Sequence, residues 1–205
     1  MTVRTQSGSF SFLPADLETG PILAPEYGFF VRVLERREAT TTTVRQVSAP
    51  RHLLSEKVDA VAGNPSVRGW GSNDTPWFGG NPAREPVTAG TFTLPSRSVA
   101  MHPGPTRAVA CGWRSPIQGR VSVGARVAGA DTQGGNGIQW WLTRDSEAGD
   151  QVLASGAIQR GQTQSIPAAA DADKLADLPV APGDIVSLVV GPKGDHSFDT
   201  TVVEL

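Results

Sequence analysis

The 205-residue chain has a single cysteine, Cys111, so no disulfide can close within it. It has no run approaching the roughly 20 apolar residues of a membrane-spanning helix, and no membrane partner is expected. Eighteen Lys and Arg face 20 Asp and Glu, a formal net charge of −2, and the basic residues are scattered. A phosphate-binding basic stripe is therefore absent and no nucleic-acid partner is expected. The three histidines, His52, His102 and His196, lie far apart in sequence and lack the paired spacing of a zinc site. No segment sustains a 3.6-residue period, which disfavours βαβ architectures. The opening Met-Thr-Val-Arg-Thr-Gln lacks the apolar core of a secretory signal. No residue pattern spells out a catalytic motif.

What the chain does have is turn chemistry. Its 23 Gly and 16 Pro, with no collagen-like period, divide short apolar runs, and many turns mean many short strands. Residues 1–62 read as a β-rich extension. Val3–Gln6, Ser7-Gly8 and Ser9–Phe12 have the form of a hairpin, Tyr27–Leu34 reads as a strand, and Pro50–Val61 has room for a short helix. Residues 63–205 read as a separate antiparallel β-sandwich. Strands are expected at Thr91–Leu94, Ala108–Trp113, Gly119–Val127, Gly137–Leu142, Gln151–Ile158, Ile185–Val190 and Thr200–Val203. Period-2 alternation turns Val109, Cys111 and Trp113 to one face, as it does Val121, Val123, Ala125 and Val127, and also Ile138, Trp140 and Leu142. Cys111 is thereby a small core residue. The last apolar strand reaches Leu205, which suggests a module of a longer protein.

Aromatic residues are the informative candidates for function, because an indole can stack beneath the apolar face of a sugar while nearby polar groups fix its hydroxyls. Trp113 and Trp140 alternate into the core. Trp141 must point the other way, beside Gln139 and Thr143, as a stacking platform, a domain contact, or a ring covered by the N-terminal region. Trp70 and Trp77 fall in a loop-like stretch, where they either plug the sandwich or bind a ligand. Arg114 also alternates outward; with Trp141, Gln139 or Arg107 it forms a rim suited to an acidic sugar, or else a structural salt bridge. The aspartates sit mostly in turns, where Asp is expected for its backbone bonding.

The succession Val99-Ala-Met-His102-Pro103-Gly104, Ala110-Cys-Gly-Trp113-Arg114-Ser115-Pro116, Gly119-Arg-Val-Ser-Val123, Gly137-Ile-Gln-Trp140, Pro182-Gly183-Asp184-Ile185 and Asp199-Thr200-Thr201 resembles carbohydrate-binding-like jelly-roll domains. These occur in large multidomain proteins of planctomycetes and related bacteria. The segment from Gly20 to Val31 resembles part of bacterial glycosidase-like proteins. The resemblance implies an all-β, antiparallel jelly-roll β-sandwich and an extracellular or periplasmic setting. It implies a non-catalytic accessory module, with a carbohydrate ligand and adjacent domains of a parent polysaccharide-processing chain as partners. It also implies a structural calcium held by Asp199 with Asp184 or a loop Asp, where the residues alone read Asp199 as a turn cap. Two other functions stay open on the residues: a spacer or docking domain without a ligand, and a small glycosidase or lyase.

Overall fold

The computed structural model describes residues 2–5, 8–11, 28–35 and 53–204. Within them the short, turn-divided apolar runs form antiparallel strands. In chain order these are β1 (Thr2–Thr5), β2 (Gly8–Ser11), β3 (Gly28–Glu35), β4 (Lys57–Val58), β5 (Arg68–Gly71), β6 (Trp77–Asn81), β7 (Val87–Ala89), β8 (Phe92–Leu94) and β9 (Ser98–His102). There follow β10 (Arg107–Arg114), β11 (Gly119–Gly129), β12 (Ile138–Ser146), β13 (Gly149–Ile158), β14 (Thr163–Ile166), β15 (Leu178–Val180), β16 (Ile185–Pro192) and β17 (Thr201–Glu204). The Ala-rich stretch before β15 holds one short helix, α1 (Ala172–Ala176).

One large sheet runs β2-β1-β11-β17-β9-β6-β5-β4, with β14 and β15 also pairing along β11. A five-stranded sheet runs β13-β12-β16-β10-β3, and β7 and β8 form a separate ribbon. The main core lies between the two larger sheets. From one come Val99, Met101, Val121, Val123, Val127 and Val203; from the other come Val109, Cys111, Trp113, Trp140, Leu142, Val186, Leu188 and Val190. The alternation expected at β10, β11 and β12 thus faces the inter-sheet core. Cys111 is fully buried there, and burial pushes its thiol up to about 12, so it is a packing residue and no nucleophile.

The expected N-terminal hairpin forms as β1 and β2, with Val3 opposite Phe10. The 1–62 stretch supplies strands to both sheets: β1 pairs with β11, and β3 pairs with β10 along eight residues. The helix expected over Pro50–Val61 is not formed in its described part. There Leu53 bridges to Arg32, Lys57–Val58 pairs with β5, and only a 3-10 turn follows at Val61–Gly63. Pairing with existing strand edges satisfies this backbone, which outweighs a weak local helical preference.

The stretch around Trp70 and Trp77 is not a loop. Its glycines read as turn residues, yet β5 and β6 pair through them because the backbones come very close. A Cβ on Gly69 would lie 2.2 Å from the Phe78 carbonyl oxygen.

Candidate functional site

The outer face of the five-stranded sheet is floored by small residues. Ala108, Ala110 and Gly112 alternate outward along β10, and Val189 and Gly191 do so on β16. Two aromatic rings exploit that floor. Phe30 of β3 lies over Gly112, where an added Cβ would meet its Cζ at 2.5 Å. Trp141 of β12 lies over Gly191, where a Cβ would sit 3.0 Å from Cζ3 and 3.4 Å from the Cβ of Ala108. As alternation requires, Trp140 is core and donates its Nε1–H to Gln164 Oε1 (3.0 Å), while Trp141 is half-buried on the opposite face. Gln139 is on that face too, opposite Gly191 and also half-buried.

Arg114 does not join them. It pairs with Ile185 at one end of β10, whereas Trp141 pairs with Val189, four residues along β16. At about 3.3 Å per residue, that is roughly 13 Å of strand. Arg107 lies at the other end of β10 and lines a different groove. The rim expected for an acidic sugar is therefore not assembled.

Trp70 and Trp77 offer no ring face to a ligand, being each about 1% exposed. Trp70 stacks on Phe78 at 6.3 Å between centroids, and Trp77 packs against Phe92 and His102 at 5.7 and 5.8 Å. Burying the apolar surface of an indole is favourable enough to make such rings fillers first and platforms only where a sheet face stays open.

The same outer face carries a buried ion pair. The Arg32 side chain reaches across the small residues of β10 to donate from Nη2 to Ser187 Oγ (3.3 Å) on β16 and Asp145 Oδ2 (3.1 Å) on β12. Its guanidinium carbon stands 5.5 Å from the centre of the Phe30 ring. Burial nevertheless pushes the Asp145 carboxyl up to about 6, outweighing the lowering effect of Arg32.

Asp184 and Asp199 are far apart. Asp184 closes the turn before β16, where its Oδ2 accepts from Arg144 Nη2 (2.8 Å), Arg144 Nε (3.1 Å) and the Ala181 N–H (3.0 Å). Asp199 lies beside Ile138, which pairs with Pro192 at the opposite end of β16. That places the two about 26 Å apart along the strand, so no calcium site shared by Asp184 and Asp199 forms. Asp199 is also not a cap: both carboxylate oxygens are buried without a hydrogen-bond partner.

Its surroundings bring together residues that are distant in sequence. Asp131 accepts from Thr91 Oγ1 (2.6 Å) and from the Thr200 N–H (2.7 Å). His102 and His196, 94 positions apart in numbering, meet edge to face at 6.5 Å. His102 Nδ1 donates to the Pro103 carbonyl (2.8 Å), the strand-end role its position suggests, and burial lowers its pKa. His52 lies outside the described residues. Phe198 takes a left-handed backbone, φ 63°, and rests its ring on Gly134. No local pattern foretells this cluster, because apart from the His102–Pro103 bond its side-chain partners lie far apart in sequence.

Asp131 and Asp199 line a cavity of about 10 Å³, too small for a pyranose, so as a pair they cannot flank a glycosidic bond. Among the described residues, wider grooves of about 310 Å³ beside Leu54 and Arg107 and about 560 Å³ between β1, β14 and α1 are lined by no aromatic ring. Among the described residues no helix is long and apolar enough to cross a membrane, and no three His, Cys, Asp or Glu side chains gather as metal ligands. No family model, curated protein or solved structure matches the chain.

Proposed function

We propose that this chain is a non-catalytic, carbohydrate-binding-like accessory module on a jelly-roll sandwich, working beside the domains of a larger bacterial polysaccharide-processing protein. The observation that carries this reading is the Trp141 indole, laid over Gly191 and Ala108 on an outer sheet face with Gln139 next to it. The half-buried indole leaves part of its surface accessible to a sugar's C–H groups, and Gln139 adds both donor and acceptor capacity. Binding by one ring and a few hydrogen bonds is weak, on the order of micromolar to millimolar. Trp141→Ala is expected to lower glycan affinity at least tenfold while unfolding remains cooperative. Calorimetry against ligands drawn from a glycan array checks this. A wild-type chain that binds no glycan, or a variant that binds as well as wild type, rejects the reading.

A docking surface is the second reading, favoured by one feature. Leu34 of β3 packs on the same buried Ala108, Ala110 and Val189 strip as Trp141, so an apolar cluster spans four strands and reaches the surface at the half-buried Leu34 and Trp141. On this reading Trp141 fluorescence responds to a neighbouring domain of the parent chain and to no glycan.

A further inference from the structure

The groove of about 560 Å³ between β1, β14 and α1 has the size of a small-molecule site and lies on the large sheet, away from Trp141. Its floor is the outer face of β11. Val3, Val121 and Val123 turn into the core, so Thr2, Arg4, Ser122, Gly124 and Arg126 turn outward. Arg4 stands opposite Ser122, and Thr2 stands opposite Gly124. Arg126 stands opposite Ser165 on one side and Glu204 on the other. The Arg4 and Arg126 rows are thus about 13 Å apart, with Gly124 midway between them.

Gly124 is the informative residue. A glycine inside a strand weakens it, and usually a close backbone neighbour or a positive φ demands it. Neither applies here, because a Cβ on Gly124 would meet only the Ile166 carbonyl oxygen, at 3.6 Å, and its φ is not among the positive ones. What the missing side chain does is leave the floor open. The wall beside it is apolar, with Ile166, Pro167, Ala172 and Ala176, and it is held from both sheets. Leu175 of α1 is fully buried in the main core, and Lys174 Nζ donates to the Leu153 carbonyl of β13 (2.7 Å). The two guanidiniums differ. Arg126 is paired with Glu204, whereas Arg4 is exposed and has no ion-pair partner among the described residues.

We propose that this groove binds a small amphipathic carboxylic acid, with its carboxylate on Arg4 and its apolar body over Gly124 against β14 and α1.

A surface arginine alone is only a solvated charge. Here it stands at the end of a preformed groove, where its fork of N–H donors matches a carboxylate and the Ser122 hydroxyl opposite can serve a remaining lone pair. The step from the Arg4 row to the Gly124 row is about 7 Å, which hexanoate or 3-phenylpropionate spans. An inorganic anion would leave the apolar wall in water, and a neutral sugar would find no aromatic ring to stack on.

The test titrates the full chain with hexanoate and 3-phenylpropionate, and with their uncharged amides, by calorimetry and amide chemical shifts. At least one acid should bind saturably, and its amide at least about tenfold more weakly, the worth of one charge-assisted bond. Arg4→Gln, at an exposed position, should weaken acid binding by a similar factor. Gly124→Val should abolish binding without loss of stability, since the strand accepts a β-branched residue and its Cβ has room. If Gly124→Val proves unstable, Arg4→Gln and the amides carry the test. Absence of saturable binding by either acid, amides that bind as well as the acids, or binding retained in a folded Gly124→Val overturns the proposal. Glucuronate binding more tightly than both acids also overturns it, and assigns the groove to a sugar acid. The groove and Trp141 lie on different sheets, so this result and the glycan result stand or fall separately.

Discussion

Replacing Arg32 with Met is expected to lower the unfolding free energy by about 3–5 kcal/mol near pH 7, among the largest single effects in the molecule. Arg32 is 1% exposed, and Asp145, its ion-pair partner, has its other oxygen buried without a hydrogen bond. Losing the guanidinium leaves a buried carboxylate with nothing to offset its desolvation. The pH dependence identifies the cause. In the wild type the Asp145 carboxyl is already pushed up to about 6 by burial, with Arg32 pulling it down. A raised carboxyl pKa means that the folded chain binds the proton more tightly than the unfolded chain. Its contribution to stability is therefore greatest at low pH and is lost as pH rises from the ordinary carboxylate range through about 6. Without Arg32 the folded pKa climbs further and that loss continues above 6. The deficit of Arg32→Met relative to wild type should accordingly widen as pH rises past about 6, which urea unfolding at about pH 5 and about pH 8 measures. A deficit equal at both would assign the cost to lost packing against Phe30 and Ser187 instead. Arg32→Met with Asp145→Leu should recover much of the loss, because an apolar pair of similar size has no charge to desolvate.

This pair also shows where sequence reasoning stops. Alternation located Trp140, Leu142, Val121 and Val123 correctly, because each inward face depends only on the period-2 geometry of its own strand. It likewise separated Trp140 from Trp141. The all-β character follows from the same local signals. What alternation cannot give is which strands are neighbours. Arg32 meets Asp145 across two intervening strands, 113 residues away, and Asp131 accepts the N–H of Thr200 from 69 residues away. The stretch around Trp70 and Trp77 reads as a loop for a related reason, although both rings fill the interior, one of the two roles open to them. Glycine marks a turn when the chain reverses and a strand when two backbones must touch, and only the partner backbone, here Phe78 over Gly69, decides between them. The calcium pairing of Asp184 with Asp199 fails on the same ground. Asp184 lies just before β16 of the five-stranded sheet, whereas Asp199 lies just before β17 of the large sheet, near the far end of β16.

Trp140→Ala is expected to cost about 3–5 kcal/mol, the range for deleting a large buried aromatic side chain. The indole is 1% exposed in the inter-sheet core, so its removal leaves a cavity that the two sheets cannot close without moving. It also leaves Gln164 Oε1 without the Nε1–H donor it now has at 3.0 Å. The ring's position is set from below by Gly156 on β13, which pairs directly with Trp140. A Cβ there would lie 2.8 Å from Cζ2, 2.9 Å from Cε2 and 3.0 Å from Nε1. An indole is rigid and held by its hydrogen bond, so Gly156→Ala should cost about 1–3 kcal/mol through overpacking. The two costs share one space and must therefore couple. In a Trp140→Phe background the atoms that clash with the added methyl are gone, so Gly156→Ala should cost markedly less than in the wild type. Urea unfolding of the four chains in this cycle measures the coupling directly. Additive costs would mean that Gly156 serves the strand's backbone and not the ring above it.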